Sequence, residues 1–105
     1  MGRKKSLNIV KEFKNRASKK IPIEKVILFG SRANGKPHKW SDFDLIIVSD
    51  KFKGTISYKR VPQLYEYWTE DYPVDFLCYT TEEFNKLKNK ISIVKEAIKK
   101  GIIVS

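Results

Sequence analysis

The stretch from Asp42 to Ser49 constrains the fold most, because it joins a β-strand pattern to two carboxylates. Successive side chains of a strand point to opposite faces, so Asp42 and Asp44 share one face, which continues with apolar residues. The other face carries Phe43, Leu45 and Ile47. The sequence therefore predicts a strand with apolar side chains on both faces and two acidic groups at its beginning.

Two further strands and several helices are predicted around this strand. The apolar run from Val26 to Phe29 is typical of a buried strand, and Val74 to Tyr79 alternates like a third one. Helices are expected over residues 6–19, 57–68, 81–89 and about 91–100, with a helical turn opening the loop 30–41. This order of elements predicts an α/β (α+β) domain in which a small sheet is covered by helices.

Local signals refine the helix boundaries. Pro62 favours a first helical position, so the helix over residues 57–68 is expected in two parts, the main one starting beside this proline. Thr80 and Glu83 have the spacing of a capping box. Gly101 is expected to end the last helix as a C-terminal cap.

Length and composition exclude several protein classes. The chain has 105 residues, of which 41% are hydrophobic and 32% charged, and this predicts a single globular domain over residues 1–105. No apolar run approaches the roughly 20 residues of a membrane helix, and the basic N terminus has no apolar block typical of a signal peptide. Together with the lone Cys78, these features predict a cytoplasmic protein with no membrane partner.

The charge is strongly basic but unevenly spread. The formal net charge is +10, and residues 1–20 contain eight basic residues and one acidic residue. Residues 40–80 instead have an acidic excess, and they contain every carboxylate that is a candidate metal ligand. A basic surface attracts nucleoside triphosphates, nucleic acid or an acidic protein, although it is also compatible with a solvated lysine surface.

Three carboxylates are expected to meet at one end of the sheet. Gly30 and Ser31 close the first strand, ten residues follow, and Asp42-Phe43-Asp44 begins the next; Asp75 lies early in the third strand. Mutual repulsion would raise the pKa of at least one carboxyl, and a divalent cation relieves that repulsion. Mg²⁺ binds in this way, through one or two carboxylates and substrate phosphates.

The glycine-serine turn supplies the other half of such a site. Gly30 has no side chain, so a phosphate can approach its backbone, and the Ser31 hydroxyl is a suitable donor. For Arg32 two roles stay open, a bidentate contact to phosphate or an ion pair with an aspartate. In the loop before the aspartates, Trp40 is a candidate for stacking a base, whereas His38 is expected to be solvated.

The stretches FGSRANGKPHKWSDFDLIIV and YPVDFLCYTTEEF resemble the minimal nucleotidyltransferase branch of the DNA polymerase β-like nucleotidyltransferase superfamily. The resemblance covers residues 22–104. It implies a mixed sheet of three to four strands with helices, and transfer of a nucleoside monophosphate from a triphosphate to an acceptor hydroxyl, with pyrophosphate released. In that branch the positions of Asp42, Asp44 and Asp75 hold two Mg²⁺ ions, and those of Gly30 and Ser31 hold the β- and γ-phosphates.

The resemblance also implies a donor and a partner. Branch members are commonly encoded beside a helical HEPN-type ribonuclease toxin, and some act as antitoxins by adenylylating a toxin tyrosine. This implies ATP as donor and an HEPN-type protein as partner, with a second copy of the chain as another partner. Asn34 stands where many relatives carry Arg, which removes one guanidinium but leaves the metal ligands in place.

Two other functions stay open at this point. One is an antitoxin that neutralises its partner by occlusion, with an idle nucleotide site. The other is an RNA-binding protein that uses the basic first helix, and its binding should weaken steeply with salt.

Overall fold

The computed structural model of the protein describes residues 2–34 and 41–104. Helices and strands alternate along these residues as the sequence predicts. They follow in the order α1 (Arg3–Ser18), β1 (Lys25–Phe29), α2 (Ser31–Asn34), β2 (Phe43–Val48), a 3₁₀ turn (Asp50–Phe52), α3 (Ser57–Arg60), α4 (Pro62–Tyr65), β3 (Val74–Tyr79), α5 (Thr81–Leu87), α6 (Ile93–Lys100) and β4 (Ile102–Val104). None of the described helices is long and apolar enough to cross a bilayer.

The strands form one mixed sheet in the order β3-β2-β1-β4. β1 is antiparallel to both β2 and β4, whereas β2 and β3 are parallel. The fold prediction of a small mixed sheet covered by helices is therefore confirmed, with four strands. The fourth comes from the short apolar run that ends the described chain, which pairs with β1 at one edge.

Each face of the sheet has its own apolar cluster. Phe43, Leu45 and Ile47 pack on the face that α1 covers, together with Phe13 and other buried residues. Ile46 and Val48 pack on the opposite face against α5 and α6. The predicted alternation along β2 is thus correct, and because Asp44 follows the same period as Ile46, it lies on the α5 and α6 side.

The local helix signals are mostly confirmed. Pro62 is the first residue of α4, and the residues before it form a separate short helix, α3. The capping box at the start of α5 is complete: Thr80 Oγ1 accepts from the Glu83 N–H at 3.2 Å, and a Glu83 carboxylate oxygen accepts from the Thr80 N–H at 2.8 Å. These bonds satisfy two backbone donors that a helix start otherwise leaves unpaired.

Gly101 ends α6 as expected, but not as the left-handed cap that a helix-ending glycine often provides. Its φ is −88°, which any residue can adopt. A Cβ at this position would instead collide with the carbonyl oxygen of Ala97 and lie 2.8 Å from that of Leu28. The glycine is required by the close approach of α6 to β1.

Candidate active site

Sheet topology brings the predicted site residues to one end of the molecule. Because β1 and β2 are antiparallel, the end of β1 lies beside the beginning of β2, and Phe29 pairs with Asp44. β3 runs parallel to β2 from the same end, so Asp75 is the register partner of Asp44. Neighbouring strands are about 4.8 Å apart, and register partners project to the same face. Asp44 and Asp75 therefore lie side by side, next to the turn that follows β1.

Gly30 contacts Asp44 directly. Its φ is +75°, a left-handed conformation that favours glycine, and a Cβ added to it would collide with Oδ2 of Asp44. The absence of a side chain thus serves two purposes: it permits the turn, and it leaves room for the carboxylate. The predicted neighbourhood of the glycine turn and the acidic strand is present in the structure.

The carboxyl of Asp44 is half-buried and lies among like charges. Burial raises its pKa, and the charges of Asp75 and Asp42 raise it further. An anion held in such surroundings is stabilised by a cation. Asp42 precedes β2 and is exposed, as is Asp75, so solvent and ligands can reach the acidic cluster formed by Asp42, Asp44 and Asp75.

The acidic cluster is better suited to Mg²⁺ that binds together with a nucleotide than to a metal ion held by protein side chains alone. Within residues 2–34 and 41–104, no three His, Cys, Asp or Glu side chains are close enough together to hold a metal ion by themselves. Mg²⁺ does not need such a set, because it retains water and takes one or two carboxylates together with substrate phosphates. Asp44 and its register partner Asp75 provide two carboxylates of this kind.

Ser31 is exposed and opens a pocket of about 390 Å³ beside the turn. The pocket is lined by Phe29, Gly30 and Ser31 on one side and by Ile93, Glu96, Ala97 and Lys100 of α6 on the other. The sequence did not indicate the α6 residues, because only the packing of α6 against β1 brings them to this place. The space beside the glycine-serine turn is large enough for phosphate groups.

Arg32 is fully buried and binds the main chain just before the acidic strand. Its Nε and Nη2 donate to the carbonyl oxygen of Ser41 at 2.9 and 2.6 Å, and its Nη1 donates to Ser6 Oγ at 3.3 Å. Burial lowers the pKa of Arg32, and the nearby Tyr72 and Asp42 act in the opposite direction. The sequence suggested either a phosphate contact or an ion pair with an aspartate for Arg32, and neither includes the bonds to Ser41 and Ser6. A role for Arg32 as a nucleotide contact stays a prediction.

His38 and Trp40 lie outside the described residues, so the suggested base stacking by Trp40 stays a prediction. Asn34 is the last residue of α2. Trp68 lies beside the apolar core, where it packs edge-on against both Phe13 and Phe43.

Comparisons with known proteins converge on one family. A family model described as nucleotidyltransferase domain matches residues 10–100. A curated Haemophilus influenzae protein, named probable protein adenylyltransferase MntA, is 30% identical over 84 residues, which cover 78% of this chain and 74% of that protein. A crystal structure of a candidate nucleotidyltransferase from Sulfolobus solfataricus matches with a TM-score of 0.68 and 22% identity, over 96% of this chain and 80% of that one. The last similarity concerns the fold.

Proposed function

Because this chain belongs to the nucleotidyltransferase domain family, we propose that it transfers AMP from ATP to a hydroxyl group of a partner protein. The observation that carries this proposal is the strand register, which sets Asp44 of β2 beside Asp75 of β3 and against Gly30 at the end of β1. The name of the Haemophilus influenzae relative supports AMP as the transferred group and a protein as the acceptor. A nucleoside triphosphate is the substrate class expected of the family.

The proposed reaction forms a phosphoester bond and breaks a phosphoanhydride bond. The acceptor oxygen attacks the α-phosphorus of ATP, and the bond from that phosphorus to the oxygen bridging the α- and β-phosphates breaks. Pyrophosphate leaves with the bridging oxygen and its electron pair, and the hydroxyl proton passes to the exposed carboxylate of Asp75 or to water. Gly30 and Ser31 hold the β- and γ-phosphates, so the acceptor approaches from the side away from the turn.

Asp42, Asp44 and Asp75 are the residues that would hold Mg²⁺, up to two ions. Bound there, Mg²⁺ supplies positive charge to the phosphate oxygens and orients them for displacement. Carboxylates repel phosphate oxygens, so Asp44 and Asp75 would position the α-phosphate only through the bound metal, and the pocket beside Ser31 receives the leaving group.

We further propose that the partner is an HEPN-type toxin modified on a tyrosine, so that this chain acts as its antitoxin in the cytoplasm. The stretches FGSRANGKPHKWSDFDLIIV and YPVDFLCYTTEEF resemble the minimal nucleotidyltransferase branch, which supports this partner. The lone buried Cys78 agrees with a reducing compartment. Residues 1–105 would form one nucleotidyltransferase domain. A second copy of the chain is another partner to test.

The test incubates the purified chain with Mg²⁺, labelled ATP and the HEPN-type partner. We expect the partner to gain adenylyl groups by mass spectrometry, and Asp42→Asn and Asp44→Asn to reduce transfer by at least about a hundredfold, because each removes charge that holds the metal and phosphates. Asp50→Asn is the matched control, because Asp50 lies beyond the far end of β2, where its carboxylate accepts from the Thr81 N–H. Its transfer rate should be unchanged.

The results separate the alternatives. Full transfer by both site variants would contradict the proposed active site. If both variants lose transfer but still neutralise the partner, neutralisation proceeds by occlusion. Loss of transfer in Asp50→Asn to the same degree would mean that the effects come from the fold and not from the acidic cluster.

A further inference from the structure

The Arg32 side chain is a buried cation that makes two hydrogen bonds to one carbonyl group. Two of its nitrogens donate to Ser41 O, at 2.9 and 2.6 Å, and the side chain is 0% exposed. Burying a guanidinium is costly unless its donors are satisfied and its charge is compensated. Its place in the interior is therefore maintained by these specific partners, and it in turn restricts the position of Ser41.

Two aromatic rings and a second helix hold the guanidinium from other sides. Its central carbon lies 4.1 Å from the ring centroid of Phe43 and 4.9 Å from that of Tyr72. Ser6 of α1 accepts from Nη1 at 3.3 Å. A planar group with several donors can stack and bind two acceptors at once, which a lysine ammonium cannot do. Arg32 thus links α1 and α2 to the chain segment that enters β2.

Asp42 lies between two fixed residues. On one side Ser41 is 8% exposed and is bound by Arg32; on the other, Phe43 is fully buried and donates its N–H to the carbonyl of Pro73 at 2.9 Å. Asp42 itself is exposed. Because both of its neighbours are anchored in the interior, the backbone of Asp42 is restricted. Its carboxylate therefore faces solvent from a fixed position. Removing a group that orients a metal ligand typically weakens metal binding or activity by about ten- to a hundredfold.

We infer that Arg32 is a positioning residue, which fixes the backbone at Ser41 and thereby presets the Asp42 carboxylate for the metal that accompanies the nucleotide. The inference rests on the proposed function, and it gives Arg32 a role that involves no contact with the substrate. The two possible roles of Arg32 have different effects. Loss of a residue that positions a metal ligand weakens metal binding, whereas loss of a direct phosphate contact weakens ATP binding.

The experiment measures Mn²⁺ binding to the purified chain by titration calorimetry and by the electron paramagnetic resonance signal of free Mn²⁺. Arg32→Lys keeps the charge but cannot donate two hydrogen bonds to the Ser41 carbonyl as arginine does. We expect the Mn²⁺ dissociation constant to rise about tenfold. At saturating Mg²⁺, the KM for ATP and kcat should remain near those of the wild type. Ser6→Ala, which removes one acceptor of Arg32, should weaken Mn²⁺ binding less and in the same direction.

Arg60→Lys is the matched control. Arg60 is the other buried arginine of the described chain, 6% exposed, and it also binds backbone carbonyls, those of Thr55 and Cys78, but far along β3 from the acidic cluster. Arg60 also forms an ion pair with Glu83. We expect Arg60→Lys to lower the unfolding temperature without changing the Mn²⁺ dissociation constant.

Several results would overturn the inference. Unchanged Mn²⁺ affinity in a folded Arg32→Lys chain would do so, as would an equal loss in Arg60→Lys. A raised KM for ATP at saturating metal, with Mn²⁺ affinity intact, would make Arg32 a nucleotide contact instead. If Arg32→Lys does not fold, unchanged Mn²⁺ affinity in Ser6→Ala decides against the inference. A wild-type chain that binds no Mn²⁺, with or without ATP, overturns the proposed metal site itself, which is a distinct outcome.

Discussion

At the scale of single residues, Gly30 and Gly54 provide a natural comparison. Both have a positive φ, +75° and +76°, so both turns favour glycine for the same backbone reason. A Cβ on Gly30 would meet the Asp44 carboxylate, whereas a Cβ on Gly54 has nothing within 4 Å. The pair therefore separates the effect of backbone strain from the effect of crowding the acidic cluster.

We predict that Gly30→Ala and Gly54→Ala each destabilise the fold by about 1–2 kcal/mol, since an alanine in the left-handed region is strained. Only Gly30→Ala should also displace Asp44, and transfer should then fall about a hundredfold, because small displacements of catalytic groups have large effects on rate. Chemical denaturation and the AMP-transfer assay measure the two effects. Equal activity of the two variants would show that Asp44 tolerates the added methyl group.

The residue scale also shows how far the sequence could predict the site. The roles of Gly30, Ser31 and the aspartates stay predictions, but the position of Gly30 beside Asp44 was predictable, because spacing places both at strand ends and strand pairing follows the apolar pattern. Arg32 was not, because its burial depends on Ser6 and Tyr72, which are distant in sequence. Composition gives no sign that Arg32, one of 22 basic residues, lies inside the molecule.

At the scale of elements, the direct junction between α6 and β4 is the most tightly packed connection. Gly101 lies between the two elements, and its position is crowded by the carbonyl groups of Ala97 and Leu28. Backbone atoms cannot move aside as a flexible side chain can. Any side chain at this position must push α6 away from β1.

We predict that Gly101→Ala lowers the free energy of unfolding by about 1–3 kcal/mol, the usual cost of overpacking. Its φ is not strained by alanine, so the loss is steric. Gly2→Ala is the control, because a Cβ there meets nothing within 4 Å; it replaces only an N-cap glycine by alanine and should cost less than Gly101→Ala, about 0.5 kcal/mol. Urea unfolding measures both variants. A Gly101→Ala chain as stable as the wild type would mean that α6 can shift outwards freely.

Elements with local signals were predicted well, and those that depend on distant contacts were not. β3 has the predicted boundaries, since Pro73 precedes it and the capping box follows it. The division into α3 and α4 was expected from Pro62, but the bonds from Arg60 of α3 to Cys78 and Glu83 were not, because those residues are distant in sequence. The strand character of β4 depends likewise on pairing with β1, which no local pattern specifies.

At the scale of the whole molecule, Cys78 reports on opening of the fold. The thiol is buried in the cluster under α1, and burial raises its pKa to about 12, against a small opposing effect of Arg60. A thiol whose pKa is raised in the folded state is stabilised as the neutral form. The folded state is therefore favoured below the ordinary thiol pKa, and that advantage is lost as the pH rises from there towards 12.

We predict that thiol reagents label native Cys78 at pH 8 only through opening of the structure. The labelling rate should increase with denaturant in parallel with unfolding followed by circular dichroism, and stability should decline as the pH rises above about 8.5, the ordinary thiol pKa. A Cys78→Ala chain is the control: the part of that decline caused by the thiol should disappear. Rapid labelling in native buffer would show that β3 opens separately from the rest of the fold.

The parallel register of β2 and β3 has a consequence for chains that fold incorrectly. A slip of β3 by a single position would turn Asp75 towards α1 and bring Phe76 next to Asp44, because neighbouring residues of a strand face opposite ways. Such a chain would bury a charge, expose an aromatic ring and lose one member of its acidic set at the same time. The error that destabilises the protein therefore also disrupts the proposed active site, so a misassembled copy would lack the proposed transfer activity.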